Sequence, residues 1–467
     1  VNKLPFKSDI IYKGDPRIET FKRDAVISGD PDAVVRPRDW QEVKEIVKFC
    51  NGNMVPLTAC GARTSMTGSS VAESGLLVTT DHFNRILDIG INNGRPFVTV
   101  EPGMIAADLQ KAVEEKGFHY PVVPTSCDNA FVGGTVSTNA TGEDFYKYGA
   151  TRNFVREITI IKADGTEMTV SRELNDLPKK SKGLGGYYLD GSEIDKLIGS
   201  EGTLGIIKKI TLDLLPSVPK TYIIMVPFRS NVEGLKFIEL VNNGKKRPRS
   251  LEFIDRRSVA LIKEHSKCPV IPPDIESFVY IKGELSSDSP ENDIEDWGKI
   301  VPKTSLNNSI IATTDKQKNE LHELRHYIPS RISELNEKYQ KSGGGKISGD
   351  WWVPKKEMVK VMVEVYNEAV QFNDFFLYGH LGDGHPHTSY LCKNEREFSA
   401  AKDLVISQSR RAVSLGGGAA GEHGIGKIKH DLVRIQHNPD VIEQMRGLKL
   451  RYDPNWILGR GNILDYD

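Results

Sequence analysis

Two short stretches gather the residues best suited to chemistry: Tyr378-Gly-His-Leu-Gly-Asp-Gly-His-Pro-His387 and Gly421-Glu-His-Gly-Ile-Gly426. They hold four of the eleven histidines, with Asp383 and Glu422 beside them. Glycine separates nearly every polar residue, so the backbone can turn sharply and aim several side chains at one point. His380 and His387 suit a divalent metal, because neutral imidazole nitrogen is a good ligand for first-row ions. Glu422 would add a carboxylate. So few protein ligands leave positions open for a substrate, the pattern of a working centre rather than a closed structural one. His423, next to Glu422, could then act as a base. A lone histidine in a polar loop is ordinarily just hydrogen-bonded there. Three within eight residues, with a second Glu-His pair, make a ligand set as good a reading.

Positioning such a set needs a large frame. At 467 residues the chain exceeds one ordinary core and should divide into two or three domains. Its 62 basic and 63 acidic residues give a formal net charge of -1, which argues against a nucleic-acid binder with its basic excess. No apolar run approaches the roughly 20 residues that span a bilayer, and no signal-peptide pattern opens the chain. Cys50, Cys60, Cys127, Cys268 and Cys392 are scattered without a CxxC pair. That fits a reducing, cytoplasmic setting and argues against an iron–sulfur cluster held by this chain alone. A partner could still bring the protein to a membrane.

Residues 1–30 read as a polar, irregular arm. From Val34 a regular alternation begins. Asp39-Trp-Gln-Glu-Val-Lys-Glu-Ile-Val-Lys-Phe-Cys50 places Val43, Ile46, Val47 and Cys50 at helical spacing, with Asp39 as N-cap. Strands are expected at 54–58 and 97–100, a helix at 105–116, and strands at 157–162 and 206–215. Asp164-Gly165 is a hairpin-type turn. Strand–helix alternation of this kind means an α/β domain.

Three loop clusters punctuate this part: Gly61-Ala-Arg-Thr-Ser-Met-Thr-Gly-Ser69, the small and hydroxylated run 124–142 continuing to Lys147-Tyr-Gly149, and Gly199-Ser-Glu-Gly-Thr-Leu-Gly205. One such cluster would be an ordinary tight turn. Three, each able to point many backbone N–H groups at one ligand, suggest a large phosphate-bearing cofactor.

Pro216-Ser-Val-Pro219 reads as the linker into a second domain. There the expected elements are strands at 221–227, 250–254 and 277–282, helices at 232–243, 316–338, 355–372 and 394–415, and an acidic exposed loop at 286–293. Leu321, Leu324, Ile328 and Ile332 form a core stripe on the helix 316–338. Arg325 lies beside that stripe and is the residue there able to reach a ligand. Two motif matches fail on context. Gly416-Gly-Gly-Ala-Ala-Gly421 fits GxGxxG but follows a helix, and Gly421-Glu-His-Gly-Ile-Gly-Lys427 ends in Ile428 where a P-loop needs Ser or Thr.

The three loop clusters together resemble the FAD domain of the vanillyl-alcohol-oxidase (PCMH) type. Gly379-His-Leu-Gly-Asp-Gly and Gly421-Glu-His-Gly-Ile-Gly resemble the C-terminal domain of FAD-linked D-2-hydroxyacid dehydrogenases, which include D-lactate dehydrogenase, D-2-hydroxyglutarate dehydrogenase and the D subunit of glycolate oxidase. The resemblance runs from about residue 30 to 460. It implies an α+β fold with an arm at 1–30, an FAD-binding domain at 31–218, and a substrate and metal (cap) domain at 219–467 with C-terminal helices.

The resemblance also implies roles. Ala59, Cys60, Gly61, Ala62, Arg63 and Thr64 would meet the pyrophosphate through their backbone. Pro124, Ser126, Gly133, Gly134, Ser137, Asn139 and Ala140 would line the middle and ring of the flavin. Glu201, Gly202 and Ile206 would take the adenosine end. No histidine occurs in the loops where flavinylated relatives attach the cofactor, so FAD is expected without a covalent bond. His380, His387 and Glu422 match the family's metal ligands (Fe, Zn or Mn). His423 matches its base, and Arg325 matches the arginine that clamps the substrate carboxylate. Lys346 matches a nearby lysine only with a shifted spacing to Pro354. His385-Pro386 stands where many relatives have Asn-Leu, so His385 could face the substrate or add a metal ligand.

These roles imply oxidation of a D-2-hydroxy acid, D-lactate favoured, with electrons passed to an electron-transfer flavoprotein or an iron–sulfur subunit. Two rivals share parts of the pattern: a redox-neutral flavoenzyme of the alkylglycerone-phosphate synthase type, and a non-catalytic flavin subunit of an electron-transfer complex.

Overall fold

The structure, a computed structural model, describes residues 4–466 other than 25, 123, 174–175, 177–181, 184, 218–219 and 287–289. The expected linker 216–219 therefore lies partly outside the described residues. Two compact units emerge, and neither is contiguous. The first comprises 1–142, 149–218 and 420–467; the second comprises 143–148 and 219–419. The last stretch, expected with the second domain, packs with the first unit because its apolar residues complete that core. Ile457 and Leu458 are buried beside Leu57, and Leu57 N–H donates to the Ile457 carbonyl.

In the first unit, β1 (Asp9–Tyr12), β2 (Ala33–Arg36), β3 (Leu57–Cys60) and β4 (Leu76–Thr79) form a sheet in the order β1-β2-β4-β3. Asp39 caps the helix Trp40–Gly52 by accepting from Glu42 N–H. Val43, Ile46, Val47 and Cys50 are buried against the sheet, as the spacing predicts. The N-terminal arm is not irregular throughout. Strand β1 pairs antiparallel with β2, and Ile11 and Ile18 anchor an otherwise polar segment in the core.

A second sheet holds β5 (Ile86–Asn92), β6 (Arg95–Val100), β7 (Val155–Ile161), β8 (Glu167–Ser171) and β9 (Ile206–Asp213), in the order β5-β6-β9-β7-β8. All its pairings are antiparallel. Among the described strands, the parallel ladders are those of β4 with β2 and with β3. The α/β character of the opening residues is thus local, and the molecule is α+β.

The second unit is built on β10 (Thr221–Phe228), β11 (Ser250–Ile254), β12 (Ser277–Glu284), β13 (Ile310–Ala312), β14 (Gly345–Gly349), β15 (Asp374–Gly379) and β16 (His387–Cys392). Their order is β13-β10-β12-β11-β15-β16-β14. Side chains alternate across a strand, so each face has its own core. Ile224, Val226, Phe253 and Leu377 pack with the helices Asn231–Asn243 and Met358–Ala369. Ile223, Met225, Ile254, Tyr280 and Tyr378 pack with the helix Asp315–Gln340. That helix opens on a capping box from Thr314 and Gln317, and it buries Leu321, Leu324, Ile328 and Ile332. Residues 287–289 of the expected acidic loop are outside the described residues; beyond them the chain is the helix Pro290–Gly298. Trp297 explains it. The indole is buried and donates to Tyr222 Oη at 2.6 Å. Among the described residues, no helix is long and apolar enough to cross a membrane.

Candidate functional site

The three glycine-rich clusters meet in the first unit. The helix Val132–Thr138 carries the middle cluster. A Cβ on Gly133 would lie 2.5 Å from the Pro102 ring and 2.9 Å from its carbonyl oxygen, so only glycine permits this approach. Gly134 faces open space, with nothing within 4 Å of where a side chain would begin. Asn139 ends the helix at φ +50°, and its Oδ1 accepts from Arg152 N–H. The third cluster closes the same helix end. Gly199 N–H donates to the Val136 carbonyl and Glu201 N–H to that of Ser137. Asn462 Nδ2 then bridges the first and third clusters, donating to the Ser69 carbonyl at 2.8 Å and the Glu201 carbonyl at 3.0 Å.

The first cluster leaves β3 at Ala59-Cys60. Arg63 takes a left-handed φ of +60°, and its guanidinium stacks on Phe21. A cavity of about 670 Å³ opens there, lined by Ala62 and Arg63 and by Glu19, Lys22, Arg23 and Asp24. Pro124 and Ser126 form a turn, their carbonyls accepting from Cys127 and Ala130. Ala140 is held by Thr135 and Thr151 backbone bonds. Backbone approach at Gly133, open space at Gly134 and Arg63 within the glycine loop fit FAD, a flat ligand with a dianionic pyrophosphate.

Two expected cofactor residues have other work. Ile206, the first residue of β9, is buried in the core. The Glu201 carboxylate accepts from the backbone N–H groups of Ile425 and Gly426, each at 2.7 Å. Burial pushes its carboxyl up to about 7 in spite of those bonds. Its side chain therefore secures the Gly-Glu-His loop, and a cofactor could meet only its backbone. That loop is anchored a second time, by Lys427 N–H on the Thr67 carbonyl. A Cβ on Gly426 would sit 2.0 Å from that same oxygen. On the loop, Glu422 accepts from the Thr141 hydroxyl. His423 Nε2 lies 3.6 Å from Glu422 Oε1 and is one-third exposed.

In the second unit, strand register gathers the histidines. Tyr378 of β15 pairs with His387 of β16, and the residues between them fold back as a tight loop. A Cβ on Gly379 would fall 2.5 Å from the His387 ring, which requires glycine there. Ring centroids of His380 and His387 are 5.0 Å apart, and those of His385 and His387 5.1 Å.

Glu252, in the middle of β11, is the residue that sequence reasoning missed. It is 1 % exposed. Arg325 Nε donates to its Oε2 at 2.7 Å, and His380 Nδ1 lies 3.0 Å from Oε1. One buried carboxylate thus orients both groups. A metal at His380 would then have to be met through Nε2, the arrangement in which a carboxylate sets the ring of a metal-binding histidine. Burial alone would raise the Glu252 carboxyl, but Arg325 and His380 hold it well below the usual range. Burial likewise disfavours the Arg325 cation, and Glu252 and Glu143 outweigh it. A signal was present, since a charge inside Ser250-Leu-Glu-Phe-Ile254 needs a buried partner.

His385 is also buried, and its Nε2 lies 3.3 Å from Asp350 Oδ1. Lys346 stands on β14 opposite Leu391, which alternation places on the His387 face. Burial pushes its ammonium pKa down.

The chain is similar to known proteins along most of its length. Residues 31–171 match the family model of an FAD binding domain, and residues 219–463 that of the C-terminal domain of FAD linked oxidases. The chain is 28% identical over 442 residues to the glycolate oxidase subunit GlcD of Bacillus subtilis, covering 94% of this chain and 90% of that protein. It is 28% identical over 470 residues to a D-lactate dehydrogenase of Anaerostipes hadrus, covering 97% and 94%. A D-2-hydroxyglutarate dehydrogenase of Stutzerimonas stutzeri is 26% identical over 451 residues, covering 93% and 91%. Among solved structures, an alkyldihydroxyacetonephosphate synthase shares the fold with a TM-score of 0.68 at 14% identity, over 93% of this chain and 76% of that one. With the C-terminal model alone matching more than half its length, the chain belongs to the FAD-linked oxidases.

Proposed function

We propose that the protein oxidises a D-2-hydroxy acid, D-lactate favoured, to the 2-oxo acid, with FAD held without a covalent bond. The observation that carries the reading is Glu252, a single buried carboxylate that aims both an arginine and a histidine of the Gly-His loop. The relatives named for D-lactate, glycolate and D-2-hydroxyglutarate support the substrate class. When bound, FAD supplies a hydride acceptor, and a divalent ion (Fe, Zn or Mn) supplies Lewis-acid polarisation that lowers the pKa of a hydroxyl.

His380, His387 and Glu422 would hold that ion. Arg325 receives the substrate carboxylate through its Nη side, because its Nε edge is committed to Glu252. Charge-assisted, two-pronged contact of this kind fixes orientation as well as position. Lys346 adds positive field on the His387 face. His385, held against Asp350, would face the substrate in place of the family's asparagine or offer an alternative metal ligand. His423 takes the hydroxyl proton as general base. Electrons leave to a protein acceptor, an electron-transfer flavoprotein or an iron–sulfur subunit, in a cytoplasmic setting consistent with the scattered cysteines.

The test is an anaerobic titration of the yellow protein with D-lactate, glycolate and D-2-hydroxyglutarate in turn. D-Lactate should bleach the flavin absorbance. If none of the three acids does so, redox-neutral chemistry of the synthase type replaces this reading.

A further inference from the structure

The helix Asp315–Gln340 carries a second pair of imidazoles that the proposed reaction does not use. His322 and His326 stand one turn apart on one face, their ring centroids 4.1 Å apart. Both meet a single carboxylate oxygen. Glu143 Oε1 lies 3.3 Å from His322 Nδ1 and 2.6 Å from His326 Nε2. All three residues belong to the second unit. Lys282 approaches the other carboxylate oxygen at 3.8 Å.

We propose that Glu143, His322 and His326 form a binding site for a divalent first-row cation such as Zn²⁺, separate from the residues assigned to the reaction. Two imidazoles and one carboxylate are ligand types that such ions prefer. Their ligand atoms lie within 4.8 Å of one another, a spread that an ion with bonds of about 2.0–2.2 Å can draw together. A shared-proton ion pair explains less. One carboxylate oxygen needs only one imidazolium, and two cationic rings this close repel.

Glu143 is buried, and its carboxylate is fixed between the two imidazoles on one oxygen and Lys282 on the other. The Glu143 side chain is 10% exposed, while His326 is 25% and His322 46% exposed. The anchor is thus fixed inside, and the histidine side is open for an ion to enter and for water to complete its coordination.

The whole chain with FAD bound, stripped of metal by a chelator, is titrated with Co²⁺ while visible absorption and bound metal are followed. Wild type should take up one equivalent more than His322→Ala or His326→Ala, or bind that equivalent at least about tenfold more tightly. Glu143→Gln should lose the same equivalent. Unchanged flavin absorbance certifies that each variant is folded. Equal uptake and equal affinity in wild type and both histidine variants overturns the proposal. A His380→Ala variant run in parallel should keep this equivalent, so loss of the proposed reaction and loss of this site are read separately.

Discussion

Changing Glu252→Gln removes a charged partner from Arg325 and from His380 at once. A buried ion left without its counter-ion costs about 3–5 kcal/mol, so the urea midpoint of the variant should drop at neutral pH. The pH dependence has a definite sign. The folded carboxyl sits below its unfolded value of about 4.3, so the native state binds this proton less tightly than the unfolded chain. The stability it contributes is complete above about pH 4.3 and drains as pH falls through the folded pKa. Wild type should therefore lose stability more steeply than Glu252→Gln below that pH; parallel curves would remove Glu252 from this role. His423 is tested differently, because its side chain is one-third exposed. His423→Ala should keep its bound flavin, while flavin reduction by substrate in stopped flow slows by about 10²–10⁴. Reduction at the wild-type rate would show that another group takes the proton.

Among the elements, the loop 421–426 is held by the Glu201 side chain. Both Glu201 oxygens accept backbone N–H groups from it. A glutamine offers one acceptor and one donor there, so Glu201→Gln leaves Ile425 or Gly426 N–H unsatisfied at about 1–3 kcal/mol. Amide exchange across 421–426 should quicken and substrate turnover fall, with the flavin spectrum retained. Unchanged exchange would mean that the Thr67 contact with Lys427 secures the loop by itself. The helix Asp315–Gln340 shows the opposite case, an element legible from spacing. Its buried stripe falls where the sequence puts it, even though Pro329 inside the helix cannot donate to the Arg325 carbonyl.

For the whole molecule, FAD is a ligand of the native state, and free FAD at 100 times its Kd adds about 2.7 kcal/mol. Thermal unfolding of FAD-depleted protein should shift upward as FAD is returned. Identical melting with and without it would mean the native chain does not bind FAD. Turnover should also be faster with an electron-transfer flavoprotein or an iron–sulfur partner than with oxygen alone. Rapid reduction of oxygen would argue against both acceptors.

Composition, glycine placement and periodicity determined much of this protein alone, because they act locally. Helix Trp40–Gly52 with its Asp39 cap, strand β11 and the buried stripe beside Arg325 all follow from a few neighbouring residues. The glycine loops were legible for the same reason, since positive φ and close backbone approach exclude other residues. Only tertiary structure decided the partners. Glu252 meets Arg325 across 73 residues, Asn462 meets Ser69 across 393, and Glu201 meets Ile425 across 224. Such pairs depend on strand register and on where the chain returns, and the return of 420–467 to the first unit is set by burial of Ile457 and Leu458 rather than by any local pattern.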